Sequence, residues 1–302
     1  MIAIQKLTGT GVALITPFTR GNRVDFSTLA AHVHFLSDNG IDFLVVLGTT
    51  SEYPTLSSTE RKDVVRCVLD ANKKNLPIVI GIGGNDTERV AEEIKTYEQL
   101  FSFDAILSVC PYYNKPNQEG LYRHFVALAR VTEKPILLYN VPTRTASNLH
   151  WTTTYRLADS CRNIIGIKEA TPSMEQLFEL CRHRGTRQFL LLSGDDALVY
   201  PSLALGFDGV ISVIANAFPK EFSTLIRLAR NEKFRESQSL FFALYPMIQL
   251  IFKEGNPTGI KLLLHLMRGY PNVLRLPLVK GSKALQKEMA NELRKLESVI
   301  LS

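Results

Sequence analysis

The sequence predicts an α/β fold, a (β/α)8 TIM barrel with a C-terminal helical extension, and three observations carry that prediction. A unit of apolar strand, loop and amphipathic helix recurs about eight times between residues 11 and 229. Nearly every strand is apolar on both faces, as a strand covered by helices outside and packed side chains inside must be. The Gly-rich turn and edge strands that a doubly wound open sheet would ordinarily carry are not evident. Residues 1–230 are therefore read as the catalytic barrel and 231–302 as a helical subdomain.

Taken in order, Gly11 to Pro17 is a short apolar run ended by proline. Asp25 to Asp38 follows with helical spacing at Phe26, Leu29, Val33 and Leu36, and Asn39-Gly40 closes it as a cap. Phe43 to Leu47 precedes a helix over about Ser58 to Asn72, Ile78 to Ile82 precedes Asp86 to Leu100, and Ala105 to Val109 precedes Gln118 to Val131. Ile136 to Val141 comes before about Thr152 to Cys161, and Ile164 to Lys168 before Ser173 to Arg182. Phe189 to Ser193 then leads to Ala197 to Leu205, and Val210 to Ile214 to Lys220 to Ala229. Gly81-Ile82-Gly83-Gly84 lacks the spacing of a dinucleotide fingerprint and reads as a strand end where small residues keep the barrel mouth open. After about residue 231 the alternation stops. Phe234 to Phe252, Pro257 to Met267 and Lys283 to Leu301 read as helices, separated by Gly255-Asn256-Pro257 and by Pro271 to Pro277.

Bulk properties exclude some functions. Lys+Arg of 35 against Asp+Glu of 29 gives a net charge of +6, modest and scattered, which does not argue for nucleic acid. Cys67, Cys110, Cys161 and Cys181 are far apart and form no CxxC or Cys/His cluster, so neither a metal site nor a disulfide framework is signalled. Met1 to Phe18 lacks the long apolar core of a signal peptide, and no later segment approaches a membrane span. A soluble, cytoplasmic protein is expected.

Chemistry in such a barrel belongs at the C-terminal ends of the strands. Asn163-Ile164-Ile165-Gly166-Ile167-Lys168 places a lysine where an apolar strand runs out, and a two-residue period puts Ile164, Gly166 and Lys168 on one face, Ile165 and Ile167 on the other. Burial disfavours the charged form of a lysine, and a neutral amine can attack a carbonyl carbon to form a Schiff base. Other strand ends carry Gly48-Thr49-Thr50-Ser51-Glu52, Pro111-Tyr112-Tyr113-Asn114-Lys115-Pro116, Tyr139-Asn140-Val141-Pro142-Thr143-Arg144 and Ser193-Gly194-Asp195-Asp196. Singly, each is also what turn chemistry asks for; jointly they set two hydroxyl types, a lysine and an arginine on one rim. A keto acid suits that rim. Thr49 and Thr50 can hold its carboxylate while Lys168 attacks its carbonyl. Tyr139 faces as Leu137 does and can pass protons if that face is the lumen. Arg144, stiffened by Pro142, can grip a second carboxylate.

With Gly166-Ile167-Lys168-Glu169-Ala170 and Gly209-Val210-Ile211-Ser212-Val213, these motifs resemble, in order and along nearly the whole chain, the dihydrodipicolinate synthase family of pyruvate-dependent class I aldolases. The resemblance implies condensation of pyruvate with L-aspartate 4-semialdehyde to 4-hydroxy-tetrahydrodipicolinate, toward diaminopimelate and lysine. It implies that Lys168 forms the imine and that Thr49, Tyr139 and Tyr113 make a proton relay, Tyr113 arriving from a neighbouring subunit within a dimer of dimers, a homotetramer. Thr50 and the backbone of Ile211 would hold pyruvate in a pocket that Gly194 also borders, and Arg144 the aldehyde's carboxylate. Neither a metal nor a diffusible cofactor is implied.

Two departures stand out. Ala146 replaces the family's usual glycine, and its methyl would tilt the arginine loop if that position needs φ > 0. Where lysine-sensitive members place histidines and a glutamate, this chain has Ser58, Arg61 and Arg89, although Tyr112 and Asn85 remain, so weak or absent inhibition by lysine is expected. Two other readings use the same barrel: an aldolase for a keto-sugar acid such as N-acetylneuraminate or 2-keto-3-deoxygluconate, which would ask for a polyol-binding loop in place of Arg144, and a catalytically silent pyruvate-binding barrel.

Overall fold

The computed structural model describes residues 4–300. Eight parallel strands, β1 (Gly9–Ala13), β2 (Phe43–Val46), β3 (Ile78–Gly81), β4 (Ala105–Val109), β5 (Ile136–Asn140), β6 (Ile164–Glu169), β7 (Leu190–Ser193) and β8 (Gly209–Ser212), pair in chain order. Pairing of β1 with β8, from Gly9↔Gly209 to Val12↔Ser212, closes the barrel. Outside run α1 (Phe26–Asp38), α2 (Ser58–Ala71), α3 (Thr87–Leu100), α4 (Gln118–Arg130), a single turn α5 (Pro142–Thr145), α6 (Trp151–Ser160), α7 (Met174–Arg184), α8 (Val199–Ala204) and α9 (Pro219–Arg230). The extension is α10 (Phe234–Lys253), α11 (Thr258–Arg268) and α12 (Lys283–Ile300). Leu301, where the last helix was expected to end, lies outside the described residues.

Helix starts follow local chemistry. Asp25 accepts from the Thr28 N–H at 3.0 Å, Ser57 and Glu60 close a reciprocal capping box, and Asp86, Asn117 and Ser173 cap α3, α4 and α7. Each such cap satisfies an orphan donor and contributes about 1 kcal/mol. The strands bury two apolar layers. Phe43, Val45, Val79, Leu107, Leu137 and Leu192 fill the barrel, while Leu44, Val46, Ile80, Leu138 and Leu191 meet the helices. Full burial of each such side chain contributes about 1.5–3 kcal/mol.

Several strands are shorter than expected because their last residues leave the ladder to build loops. Leu47 turns left-handed with φ 60°, Ile82 and Val141 follow β3 and β5, and Ile214 enters a 3-10 turn. β1 is displaced to Gly9–Ala13, although the Leu14 N–H still donates to the Val45 carbonyl at 2.9 Å. One face assignment is corrected. Ile136 pairs with Ile164 but Leu137 pairs with Gly166, so Ile165 is an extra residue in β6. This bulge turns Ile165 into the barrel, leaves Ile164 outside with Ile167, and restores the alternation at Gly166 so that Lys168 points inward.

Among the described residues, no helix is long and apolar enough to cross a membrane, and no group of three or more His, Cys, Asp or Glu side chains could hold a metal ion.

Candidate active site

The β5–β6 ladder sets the centre. Tyr139 and Lys168 are register partners at adjoining strand ends, and both are buried on the inner side. The Lys168 amine lies 4.4 Å from the centroid of the Tyr139 ring, so the aromatic face meets the nitrogen inside the barrel mouth. Gly194 makes room for it. A Cβ there would stand 3.0 Å from Lys168 Cε and 2.8 Å from the Ala170 methyl, and the Gly194 N–H is fixed on the Glu169 carbonyl at 2.7 Å.

Thr49 and Thr50 begin the 3-10 turn Thr49–Ser51, bracketed by the left-handed residues Leu47 (φ 60°) and Glu52 (φ 56°). Non-glycine residues hold that conformation at a cost of about 1–2 kcal/mol, and it gathers where function over-determines the backbone. Thr50 is buried, and its Oγ1 accepts from Asn256 Nδ2 at 3.0 Å. The carbonyl of the same Asn256 accepts from Arg144 Nη2 at 3.2 Å. One residue between α10 and α11 thus joins the threonine turn to the arginine.

Arg144 sits on α5, which the sequence pattern did not reveal because four residues carry no helical period. Ala146 caps it with φ 55° and ψ 17°, so the position where the methyl was expected to matter is indeed left-handed, and the alanine accommodates it. Ala146→Gly should relieve that strain and raise stability by up to about 1 kcal/mol, read from urea midpoints.

A cavity of about 300 Å³ collects Thr49, Thr50, Tyr139, Arg144, Lys168 and Gly194. A second cavity, of about 420 Å³, adjoins it through Thr49, Tyr139 and Arg144 and is bordered by Tyr112. Two expected residues do not line the first. Ile211 packs in the inner apolar cluster, and Val213 borders the space in its stead. Tyr113 is 90% exposed on a loop pinned by Asn114 Nδ2 to the Asn85 carbonyl at 2.8 Å.

A model of the Dihydrodipicolinate synthetase family matches residues 6–296, nearly the whole chain. The chain belongs to that family. It is 45% identical over 286 residues to the 4-hydroxy-tetrahydrodipicolinate synthase of Flavobacterium psychrophilum, covering 95% of this chain and 97% of that one. Among solved structures it resembles the chloride-inhibited dihydrodipicolinate synthase of Acinetobacter baumannii complexed with pyruvate, at 35% identity and a TM-score of 0.92, covering 96% of this chain and 99% of that one. It also resembles the Cyanidioschyzon merolae enzyme with lysine bound, at 33% identity and a TM-score of 0.91, over 96% and 98% of the two chains. The protein is accordingly a lyase on a TIM barrel, a pyruvate aldolase of lysine and diaminopimelate biosynthesis.

Around this cavity lie buried acids that sequence reasoning did not single out. Burial raises the Glu169 carboxyl to about 7, against the opposing pull of hydrogen bonds from the Asn140 and Gln176 amides and the Thr171 N–H. Asn140 Oδ1 accepts from the Leu149 N–H at 3.0 Å and Gln176 Nε2 donates to the Leu149 carbonyl at 2.8 Å, so the group braces the far end of the arginine loop. Asp196, likewise raised to about 6 by burial, accepts the N–H groups of Val213 and Ile214 and shapes the β8 end. Asn256, Gln249 and Phe252 also border the cavity from the extension. The Gly255-Asn256-Pro257 run, which reads as a separator between helices, marks only Asn256 among them.

Proposed function

We propose that Lys168 carries the family reaction, the condensation of pyruvate with L-aspartate 4-semialdehyde, as a covalent imine. The juxtaposition of a buried amine with a buried phenol on register partners supports this most directly. The Lys168 amine adds to C2 of pyruvate, and the carbinolamine loses water to give the imine. A proton leaves C3 to form the enamine, whose C3 attacks the aldehyde carbon; the new alkoxide takes up a proton. The amino group of the aldehyde partner then adds to C2 and displaces Lys168, closing the ring with one water lost overall. Tyr139 and Thr49 exchange these protons. Thr50 holds the pyruvate carboxylate, with Gly194 and Val213 bordering the pocket, and Arg144 holds the carboxylate of the aldehyde. No metal or diffusible cofactor enters the scheme.

Tyr113 is the third member of the relay in this reading. Its exposure on its own chain, away from the residues bordering the cavity, supports a role in the site of a second copy, within a homotetramer built as a dimer of dimers. The barrel, 1–230, then supplies chemistry and the extension, 231–302, completes the rim, in a cytoplasmic enzyme.

Sodium borohydride added with pyruvate should place a stable mass increase on the peptide containing Lys168 alone. An unmodified lysine under those conditions overturns the reading. L-Aspartate 4-semialdehyde should then be consumed, whereas keto-sugar acids should not.

The reading extends to regulation. Arg61 stacks 3.7 Å from the centroid of the Tyr53 ring and pairs with Glu93 at 3.5 Å, and Arg89 pairs with Asp86 at 3.3 Å. A lysine ammonium approaching this surface would meet two guanidinium groups, with Glu93 and Asp86 already engaged by them. Activity is expected to persist across millimolar L-lysine, and half-inhibition below that range would contradict the expectation.

A further inference from the structure

Glu52 and Lys261 form an ion pair with almost no solvent contact: their side chains are 0% and 2% exposed. Glu52 ends the turn that carries Thr49 and Thr50, and Lys261 lies in α11, 209 residues later. Removing two charges from water is costly, and apolar residues of similar volume would fill such a space at lower cost. The pair does what apolar residues cannot. Glu52 Oε1 takes the Lys261 ammonium while Oε2 accepts the Arg275 N–H at 3.0 Å, and Lys261 also donates to the Val273 carbonyl at 3.1 Å. The ammonium further sits 4.1 Å from the centroid of the Phe18 ring, so two of its donors are hydrogen-bonded and an aromatic face meets its charge. Arg275 continues the link outward through two contacts with Glu60 and one with the Thr55 carbonyl.

The turn needs such anchorage. Glu52 is left-handed, and so is Leu47 at the other end of the same short segment. The lead into α11 already grips the turn once, through Asn256 on Thr50, and Lys261 grips it a second time. Two anchors from one stretch of chain hold a strained turn at both its hydroxyl and its end.

We propose that the buried Glu52–Lys261 pair is a positioning device through which α11 fixes the turn bearing Thr49 and Thr50, and so sets affinity for the carboxylate of the keto acid. This rests on the assignment of those threonines to pyruvate. Neither Glu52 nor Lys261 touches substrate in this scheme; they act through the turn.

Glu52→Gln, Lys261→Met and the double variant test it, with half-saturation by pyruvate, maximal rate and borohydride labelling of Lys168 measured on the full chain. Each single change should raise pyruvate half-saturation about tenfold, the scale of one charge-assisted hydrogen bond, and alter the maximal rate far less. The double variant should be no worse than the worse single one. Lower thermal midpoints with unchanged half-saturation overturn the proposal, and so do single effects that multiply in the double variant. Failure of the wild type to label at Lys168 strikes the functional assignment instead. Should a single variant not fold, hydrogen exchange on the wild type decides: pyruvate should protect the amides of 258–275 together with those of 49–52, and protection confined to 49–52 overturns the coupling.

Discussion

Lys168→Met should lower the maximal rate by about 10⁴-fold or more, the scale on which loss of a nucleophile acts, and should eliminate borohydride labelling by pyruvate. The chain should still fold. Methionine keeps most of the stem that packs beside Gly194 and removes a polar amine from a site with only 6% exposure, so stability should hold or rise. This separates the variant from a structural casualty. A coupled assay of product formation, run beside a urea titration, checks both statements. Retention of more than a hundredth of the wild-type rate would mean that the covalent route is wrong.

Tyr139→Phe should give the second largest effect, a loss of about 10²–10⁴-fold in maximal rate, the range of one positioned proton donor and acceptor. The ring would remain against the Lys168 amine, because the 4.4 Å contact is made by the aromatic face and not by the oxygen. Labelling of Lys168 should therefore persist, more slowly, while turnover collapses. The contrast is diagnostic: methionine at 168 removes both signals, phenylalanine at 139 only one. If turnover by Tyr139→Phe stays within threefold of wild type, the phenol is not the relay.

The barrel was legible because its evidence is local and repeated. Caps such as Asp25, Ser57 and Asp86 and the apolar runs between them mark each unit without reference to any other. The placement of Lys168 and Tyr139 was legible for a similar reason, each standing one residue before a strand's end, where alternation shows which neighbours share its face. The bulge at Ile165 was not, because isoleucine on either side of a strand satisfies both layers of a barrel equally well and only the pairing with β5 shows the slip. Asn256, Glu52 and Lys261 escaped notice because their partners stand more than two hundred residues away, a distance that spacing rules do not reach. Tyr113 stands apart: its residue type and motif were plain, but its proposed place depends on a second copy of the chain.

The bond from Asn256 to Thr50 also orders events in time. During synthesis, residues 9–212, which make β1 to β8, are joined before residue 256, so a nascent chain can contain all eight strand sequences while Thr50 still lacks this donor. A chain cut short after α9 would carry every strand sequence and lack the cavity wall that Gln249, Phe252 and Asn256 supply.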